Sequence, residues 1–493
     1  MSSDSQGSAY TRCSAKVHSH PDGVQSRKPA TDESADSTEA WIRVHTASVL
    51  PSHPCPKSVD SLTTGRLVPW HLLAVITLAT LLRIAVTIYL GDVANTVSGA
   101  NDQYSYDALA QRVAGGYGFS FPTAWYPFTA ADEPTAHWSY LYTLYLAAVY
   151  LLVGHHPLVA RIIQTLLSAI GIWLTYRIGA RLFGERAGLA AAALAAGYAY
   201  LIFFAAALMT QTFYIIALLA AINTALDLAE RPSWRGWLLL GLALGIGALM
   251  RQTLLLFAPL LLAWLWLKRP RTEGGGRSPV LGHPSSVIGL LLTLTVIALF
   301  ILPFTVYNYV TFHDFLLLNS NGGYWMYSSN HPNQGTHFDG TYAAPLPDNL
   351  RGLPEPALDR ALYRQGIRFI LDDPKRFLLL SLSRLDDYFW ILPSANSSLA
   401  SNLGRMLSYP LYLPFMLFGL YLSRHNWRQC LPIYLYILFE GALCIFTWAG
   451  PRYRLPSDAL LMVFAGLAVM TAVHRLQARI TWSARIRPRS SQA

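Results

Sequence analysis

Eleven runs of apolar residues constrain the fold of this chain more than any other feature of its sequence. They cover roughly residues 67–90, 138–153, 158–176, 187–207, 211–229, 236–250, 254–267, 285–308, 406–423, 430–448 and 457–474. A helix that crosses a bilayer needs about 17–25 residues, and several runs reach that length. Only 13% of the 493 residues are charged, which is about half the share usual in soluble domains. The sequence therefore predicts an all-α polytopic membrane protein rather than a soluble enzyme, a disordered chain or a disulfide-rich secreted domain.

The positive charges indicate which loops face the cytoplasm. Lys and Arg exceed Asp and Glu by ten. Most of them fall in six clusters, which are the N-terminal tail and residues 177–186, 231–235, 268–277, 424–428 and 475–489. The positive-inside rule places all six in the cytoplasm, so an even number of spans separates neighbouring clusters. This predicts about ten spans in a cell inner (plasma) membrane, with both termini cytoplasmic. Since membrane topology accounts for the excess of positive charge, no nucleic-acid partner is expected.

An even number of spans must also separate the N-terminal tail from the cluster at 177–186. One of the three apolar runs between residues 67 and 176 is therefore expected not to cross the membrane. Run 138–153 carries five Tyr or Trp residues at interfacial spacing, which predicts a helix lying on the outer face. The predicted organisation is a disordered cytoplasmic tail (1–66), a transmembrane module (67–308) with the first outer loop (91–157), a second outer loop or small subdomain (309–405), C-terminal transmembrane helices (406–474) and a basic cytoplasmic tail (475–493). The outer loops are expected to carry juxtamembrane helices, and function is expected where they meet the membrane.

The sequence offers little sign of a cofactor. Its four cysteines form no CxxC pair, so neither a disulfide framework nor a zinc site is predicted. It also lacks a GxGxxG or P-loop motif between a strand and a helix. No cofactor is expected, while a divalent metal stays open as an alternative.

Asp102 is the candidate general base. It opens a segment just outside the first span in which Asp102, Tyr106 and Ala110 are four residues apart, so a helix here would place them on one face. A carboxylate in the first turn is favoured by the helix dipole, and an acid close to lipid suits a general base. The alternative is a solvated helix cap.

Three arginines are candidates for binding a phosphate on the outer side. Arg251 lies between two apolar runs, a costly position unless the side chain reaches water or an anion. A guanidinium can hold a phosphate through two hydrogen bonds, although simple snorkelling to lipid headgroups is the alternative. Arg452 and Arg454 lie at another predicted outer turn and could face the same phosphate.

Two further segments could contact substrate. Asn321-Gly-Gly-Tyr324-Trp325 combines glycines that allow close backbone approach with rings that can stack on sugars. A tight turn with interfacial aromatics is the alternative there. The acidic pair Asp132 and Glu133 is a candidate for acceptor binding, against a solvated turn.

Six loose motifs in a consistent order resemble those of the GT-C glycosyltransferases, in particular the bacterial aminoarabinose transferase and protein mannosyltransferase-like branch. They are Asp102-x3-Tyr106-x3-Ala110 with Gly116-x-Gly118-Phe-Ser120, Leu182-Phe-Gly184 with Arg186, Thr210-Gln211-Thr212, Gly245 to Arg251 with Thr253, Asn308-Tyr309 with Asn321-Gly322-Gly323 and Asn330-His331-Pro332, and Arg452-Tyr453-Arg454-Leu455-Pro456. The resemblance covers about residues 67–474. Gln211, Gln252 and His331 depart from the family pattern, where an acid, a proline and an asparagine are usual.

The resemblance implies a function. Members use polyprenyl-phosphate sugars, and the acid that matches Asp102 is regarded as their catalytic base. We therefore expect an inverting transfer of a monosaccharide from such a carrier to a lipid, glycan or protein acceptor at the outer face of the membrane. The predicted substrate contacts are Tyr106, Asn321, Tyr324, Asp132 and Glu133, with Arg251, Arg452 and Arg454 at the donor phosphate. A transporter or lipid flippase is the alternative.

Overall fold

The computed structural model describes residues 67–94, 101–268, 284–393 and 397–486, which belong to one compact unit, Ser61–Ala493. The predicted tail 1–66 and the last residues, 487–493, lie outside this part. Throughout the described residues the secondary structure is helical, apart from two isolated bridges that join Ser120 to Pro134 and Trp125 to Thr129. The all-α prediction is confirmed.

Seventeen α-helices build the described part of the chain. They are α1 Leu67–Leu90, α2 Asp102–Ala114, α3 Tyr140–Val153, α4 Pro157–Phe183, α5 Glu185–Gly197, α6 Ala199–Ala206, α7 Gln211–Glu230, α8 Trp234–Met250, α9 Thr253–Leu267, α10 Pro284–Phe312, α11 Asn321–Ser329, α12 Glu355–Asp372, α13 Pro374–Tyr388, α14 Leu399–Met406, α15 Tyr409–Ser423, α16 Trp427–Phe446 and α17 Pro451–Ile486. Helix α17 continues into the segment that was expected to form the basic tail.

Six helical stretches of the described residues are long and apolar enough to cross a bilayer, or seven if the bent pair α5 and α6 counts as one span. Helices α3, α8 and α9 are apolar but shorter. One of the six stretches, Leu399–Phe446, contains both α15 and α16. A polytopic membrane protein is therefore confirmed, and the count of about ten spans stays a prediction.

The chain turns between α15 and α16. The hydroxyl oxygens of Ser423 and Tyr434 lie 2.6 Å apart. Eleven residues of straight helix would advance by about 16 Å, further than these two side chains reach together. The turn coincides with the 3-10 helix Arg424–Asn426, so α15 and α16 are separate helices, as the basic cluster at 424–428 predicted.

Small residues let the apolar helices approach closely. A Cβ atom on Gly188 of α5 would lie 2.6 Å from the carbonyl oxygen of Tyr176 in α4. A Cβ on Gly419 of α15 would lie 1.9 Å from the carbonyl oxygen of Phe464 in α17. Since lipid gives helices little hydrophobic reason to associate, close backbone packing at such positions stabilises the bundle.

A buried arginine fixes the start of the first outer loop. Arg161 of α4 donates to the carbonyl oxygens of Gly91 at 2.8 Å and Val93 at 2.9 Å. The same guanidinium donates to the side chain of Gln103 at 3.0 Å and to the carbonyl oxygen of Ala206 at 3.1 Å. Because Gln103 is the second residue of α2, these bonds hold the N-terminus of α2, and with it the candidate base, against the membrane helices.

Helix α3 forms where the sequence predicted a helix, but its aromatic side chains lie in the protein interior. Tyr140, Tyr142 and Tyr150 are buried, and the Tyr145 hydroxyl donates to the Ala160 carbonyl at 2.6 Å. Their expected contact with the lipid interface is thus replaced by packing against the neighbouring helices. Periodicity alone cannot separate these two environments, since both favour rings with a polar tip.

The orientation of α3 gives a direct test of topology. We expect alkaline phosphatase fused after Val153 to be active, because parity of the basic clusters places this residue outside the cytoplasm. A matched fusion after Arg231, within a cytoplasmic cluster, should be inactive. Activity of a cytoplasmic reporter at Val153 would show that α3 crosses the membrane and that the predicted count of spans is wrong.

Candidate functional site

The two helix N-termini that the sequence singled out meet in the structure. Asp102, the first residue of α2, accepts a hydrogen bond from Arg452, in the first turn of α17, at 2.8 Å between Oδ2 and NH1. The side chains are 33% and 17% exposed, so the ion pair is open to its surroundings. Two helix N-termini add partial positive charge at this place. The arrangement favours an anion beside the candidate base.

Arg251 joins this pair. It caps the C-terminus of α8 in an extended conformation, at the break before α9. Its guanidinium carbon lies 5.4 Å from the ring centre of Tyr214 and 5.7 Å from that of Tyr453. Arg452 lies 4.8 Å from the same Tyr453 ring and donates to the Tyr453 hydroxyl at 2.8 Å. Two of the three predicted phosphate ligands therefore approach one tyrosine.

Arg454 has a different environment. It is buried, and its Nε donates to Asp458 at 3.0 Å. Its NH1 group donates to the carbonyl oxygen of Tyr388, and its guanidinium carbon lies 3.5 Å from the ring centre of Tyr409. Asp458 balances the charge of this cation inside the bundle, and the phosphate contact of Arg454 stays a prediction.

A chain of polar groups leads from Arg251 into the membrane helices. The ring of Tyr214 faces Arg251, and its hydroxyl lies 3.0 Å from that of Tyr436. Tyr436 in turn donates to the carboxylate of Glu440 at 3.4 Å. Glu440 is buried, so these hydrogen bonds continue into the interior of the bundle.

Tyr106 lies close to Asp102, and Asn321 lies close to the segment that carries Arg251. Tyr106 is buried one turn after Asp102, with its ring edge-on to Trp138 and Tyr142. Asn321 accepts from the side chain of Gln252 at 3.0 Å, next to Arg251 in the chain. Both predicted substrate residues therefore hold neighbouring segments in place through the contacts that the structure records.

An aromatic and histidine cluster borders Asp102. Tyr126 donates to the hydroxyl of Tyr324 at 2.8 Å. Burial raises the pKa of Tyr126, and the negative charge of Asp102 raises it further. His137 lines the same region, where burial lowers its pKa to about 4 despite the opposing effect of Asp102. Tyr126 and His137 are thus neutral groups that are influenced by the charge of the candidate base, and His137 lines a cavity together with Tyr324.

This cavity has a volume of about 470 Å³ and lies between the two outer segments. Its wall includes three acids, Glu133, Glu355 and Asp359, besides Tyr324 and His137. The wall also includes the hydroxyl side chains of Thr129, Thr311 and Ser320, and the apolar side chains of Pro127, Phe128, Phe312, Leu346, Leu350, Leu353, Leu358 and Leu362. A concave pocket in which several polar groups converge is a candidate small-molecule site.

The two predicted acceptor-binding acids, Asp132 and Glu133, have different environments in the structure. Glu133 lines the cavity. Asp132 is 69% exposed, pairs with Arg112 at 2.6 Å and has a φ of +58°. A positive φ is tolerated better by Asp than by most residues, so Asp132 shapes the turn that presents Glu133.

Glu355 and Asp359 were missed from the sequence. They are four residues apart at the start of α12 and therefore share one helix face. Glu355 accepts from the backbone N–H of Ala136 at 2.8 Å, and Asp359 accepts from that of Gly323 at 2.6 Å. Burial raises the pKa of both carboxyls, that of Asp359 to about 7. Their spacing was the available signal, but it does not reveal which face of α12 is covered.

Within the described residues, no group of three or more His, Cys, Asp or Glu side chains is arranged to hold an ion. Two acids of the cavity accept from backbone N–H groups, Glu355 from Ala136 of the first outer segment and Asp359 from Gly323 of its own segment.

One family model matches the central part of the chain. Residues 132–308 match the sequence model of a family described as dolichyl-phosphate-mannose-protein mannosyltransferase. This region contains Arg251 and Glu133, whereas Asp102 and Arg452 lie outside it. A search among curated protein sequences finds no match.

Comparison with solved structures identifies the fold. The oligosaccharyltransferase of Archaeoglobus fulgidus tethered with an acceptor peptide matches with a TM-score of 0.52 and 15% identity, over 83% of this chain and 50% of that one. The oligosaccharyltransferase AglB of the same organism, in complex with an inhibitory peptide and a dolichol-phosphate, matches with a TM-score of 0.50 and 14% identity, over 86% and 53%. The chain thus spans about half the length of these archaeal structures.

A third structure, ArnT from Cupriavidus metallidurans bound to undecaprenyl phosphate, matches more distantly. Its TM-score is 0.40 at 13% identity, over 82% of this chain and 60% of that one. The archaeal matches carry the assignment of the fold, since identities this low indicate shared architecture only.

The raised pKa of Asp359 gives a prediction on stability. A carboxyl that holds its proton more tightly when folded makes the free energy of unfolding fall as pH rises from about 4 to about 7. We expect Asp359→Asn, which keeps an oxygen for the Gly323 N–H, to remove this loss. The melting temperature of the wild type relative to the variant should therefore decrease between pH 5 and pH 8.

The exposed Asp348 offers a matched control in the same outer segment. Asp348→Asn should change the melting temperature equally at both pH values. Parallel melting curves for the wild type and Asp359→Asn across this range would contradict the assigned environment of Asp359.

Proposed function

We propose that the chain belongs to the GT-C superfamily of membrane glycosyltransferases, and that it moves a monosaccharide from a polyprenyl-phosphate carrier to an acceptor on the outer side of the membrane, with inversion. The observation that carries this proposal is the meeting of Asp102 with Arg452 beside Arg251. An acid for proton transfer and two cations for a phosphate are the parts that such a reaction requires.

The donor phosphate is assigned to Arg251 and Arg452. Both guanidinium groups approach Tyr453, and each presents several N–H donors in a planar fork that matches a phosphate. Arg251 sits at the break between two apolar helices, so a carrier whose tail lies among those helices would bring its phosphate to this level. AglB, which shares the fold, was solved in complex with a dolichol-phosphate, and this supports a carrier of the same chemical class.

Asp102 is assigned as the general base. The acceptor hydroxyl oxygen attacks the anomeric carbon from the side opposite the phosphate, and its proton passes to Asp102. The bond between that carbon and the phosphate oxygen breaks, and its electron pair stays on the phosphate. Arg251 and Arg452 would stabilise this additional negative charge more in the transition state than in the bound donor.

The acceptor is assigned to the cavity between the outer segments. Its volume of about 470 Å³ lies within the range of roughly 300–1,000 Å³ that is usual for ligand pockets. Glu133, Glu355 and Asp359 can accept hydrogen bonds from sugar or peptide hydroxyls, and Tyr324 offers an aromatic ring. His137 belongs to the cavity wall and interacts electrostatically with Asp102, so an acceptor held there would lie close to the base.

Substitution of the base tests the chemistry. We expect Asp102→Asn to lower transfer from a labelled polyprenyl-phosphate sugar by at least about 100-fold in membranes, because general bases contribute about that factor or more. Asp92→Asn is the matched control, since Asp92 is an exposed carboxylate of the same loop that pairs with His156. Transfer at the wild-type rate by Asp102→Asn, at equal protein level, would remove Asp102 from the base role.

Substitution of Arg251 tests the donor site. Losing a charged hydrogen-bond donor of this kind costs about 1.5–3 kcal/mol, so we expect Arg251→Ala to raise the donor KM roughly 10- to 100-fold. Arg251→Lys should restore part of the affinity, because it keeps the charge but not the fork. Arg235→Ala, at the exposed opposite end of α8, should leave the donor KM unchanged. An unaltered donor KM in Arg251→Ala would refute the phosphate role.

A further inference from the structure

The candidate base is already occupied in this structure. Oδ2 of Asp102 accepts the 2.8 Å hydrogen bond from NH1 of Arg452. This oxygen of the candidate base is therefore engaged by a cation in the structure and is not free to meet another group while the pair is formed.

Arg452 is also the residue that faces the proposed phosphate. Its second terminal nitrogen, NH2, donates to the Tyr453 hydroxyl at 2.8 Å, and Arg251 lies on the same tyrosine ring at 5.7 Å. A phosphate between the two arginines would thus meet one cation that already has an anionic partner. Both terminal nitrogens of Arg452 already donate, one to Asp102 and the other to Tyr453, so a phosphate that binds both in bidentate fashion competes with Asp102 for one of them.

We propose that the donor phosphate and Asp102 compete for the guanidinium of Arg452, so that donor binding releases Asp102 to act as the base. This inference rests on the proposed function and adds a regulation of the same site. Arg452 is then a positioning residue for the base as well as a ligand of the phosphate. Proton transfer to Asp102 is then coupled to the presence of a bound donor.

The openness of the ion pair favours such an exchange. Both side chains retain exposure, 33% for Asp102 and 17% for Arg452, so a phosphate can reach them. Partly exposed pairs of this type contribute little to stability. The buried pair of Arg454 and Asp458, two residues further along α17, is the contrasting case, because its carboxylate is buried and fixed.

The test is the affinity of undecaprenyl phosphate for the full-length protein in nanodiscs, measured by thermophoresis. We expect Asp102→Asn to bind this lipid about fivefold more tightly than the wild type, since the competing anion is gone. A gain of affinity cannot arise from misfolding. Undecaprenol, which lacks the phosphate, is the matched ligand, and its affinity should not change. Asp92→Asn is the matched carboxylate variant and should also bind as the wild type does.

A double-mutant cycle separates competition from simple repulsion between Asp102 and the phosphate. We expect Arg452→Gln to weaken binding, and the double variant Asp102→Asn/Arg452→Gln to bind as Arg452→Gln does. Equal or weaker binding by Asp102→Asn would overturn the inference. Tightening of the same size in the Arg452→Gln background would also overturn it, because the effect would then not pass through Arg452.

Failure of the proposed function has a different signature. If the wild type binds undecaprenyl phosphate no better than undecaprenol, the donor site itself is wrong, and the inference falls with it. If the wild type prefers the phosphate and Asp102→Asn has lost transfer without gaining affinity, the proposed function stands and only the competition is refuted.

Discussion

Buried arginine side chains satisfy backbone carbonyl groups where the apolar helices end, and the arrangement of the bundle depends on them. Arg83 donates to the carbonyl oxygens of Ala195 and Ala196, close to where α5 bends by 61° into α6. In an apolar environment an unpaired carbonyl is costly, so a broken helix needs such a donor. A guanidinium supplies up to five N–H groups to one place, more than any other side chain.

Two further arginines extend this pattern to the segments that were predicted to lie outside. Arg161 binds the start of the first outer loop to α4 and α6. Arg384 of α13 donates to the carbonyl oxygens of Ser329 and Ile445, near the ends of α11 and α16. The second outer segment is thus tied to the same bundle as the first. The acidic cavity forms where these two segments face each other, and one residue of its wall, His137, is influenced by the charge of the candidate base.

Helix termini and their polar residues could be predicted from the sequence with some success, whereas their partners could not. Asp102 was predicted to begin a helix and does so, because the spacing of Asp102, Tyr106 and Ala110 is a local property. Arg454 and Arg452 are two residues apart in the chain, yet one pairs with Asp458 inside the bundle and the other with Asp102 at its surface. Their side chains leave α17 in different directions, and only the neighbouring helices decide what each one meets.

By itself, the sequence determined the helical membrane class, the approximate position of the helices and the side on which polar exceptions such as Arg251 are expected. These follow from length, hydropathy and charge, which are read within short windows. The tertiary structure alone decided that Asp102 meets Arg452, 350 residues away, and that Glu355 and Asp359 line a cavity with Glu133. Contacts of this kind depend on how helices cross and which faces they cover, and those choices arise from the packing of the whole bundle.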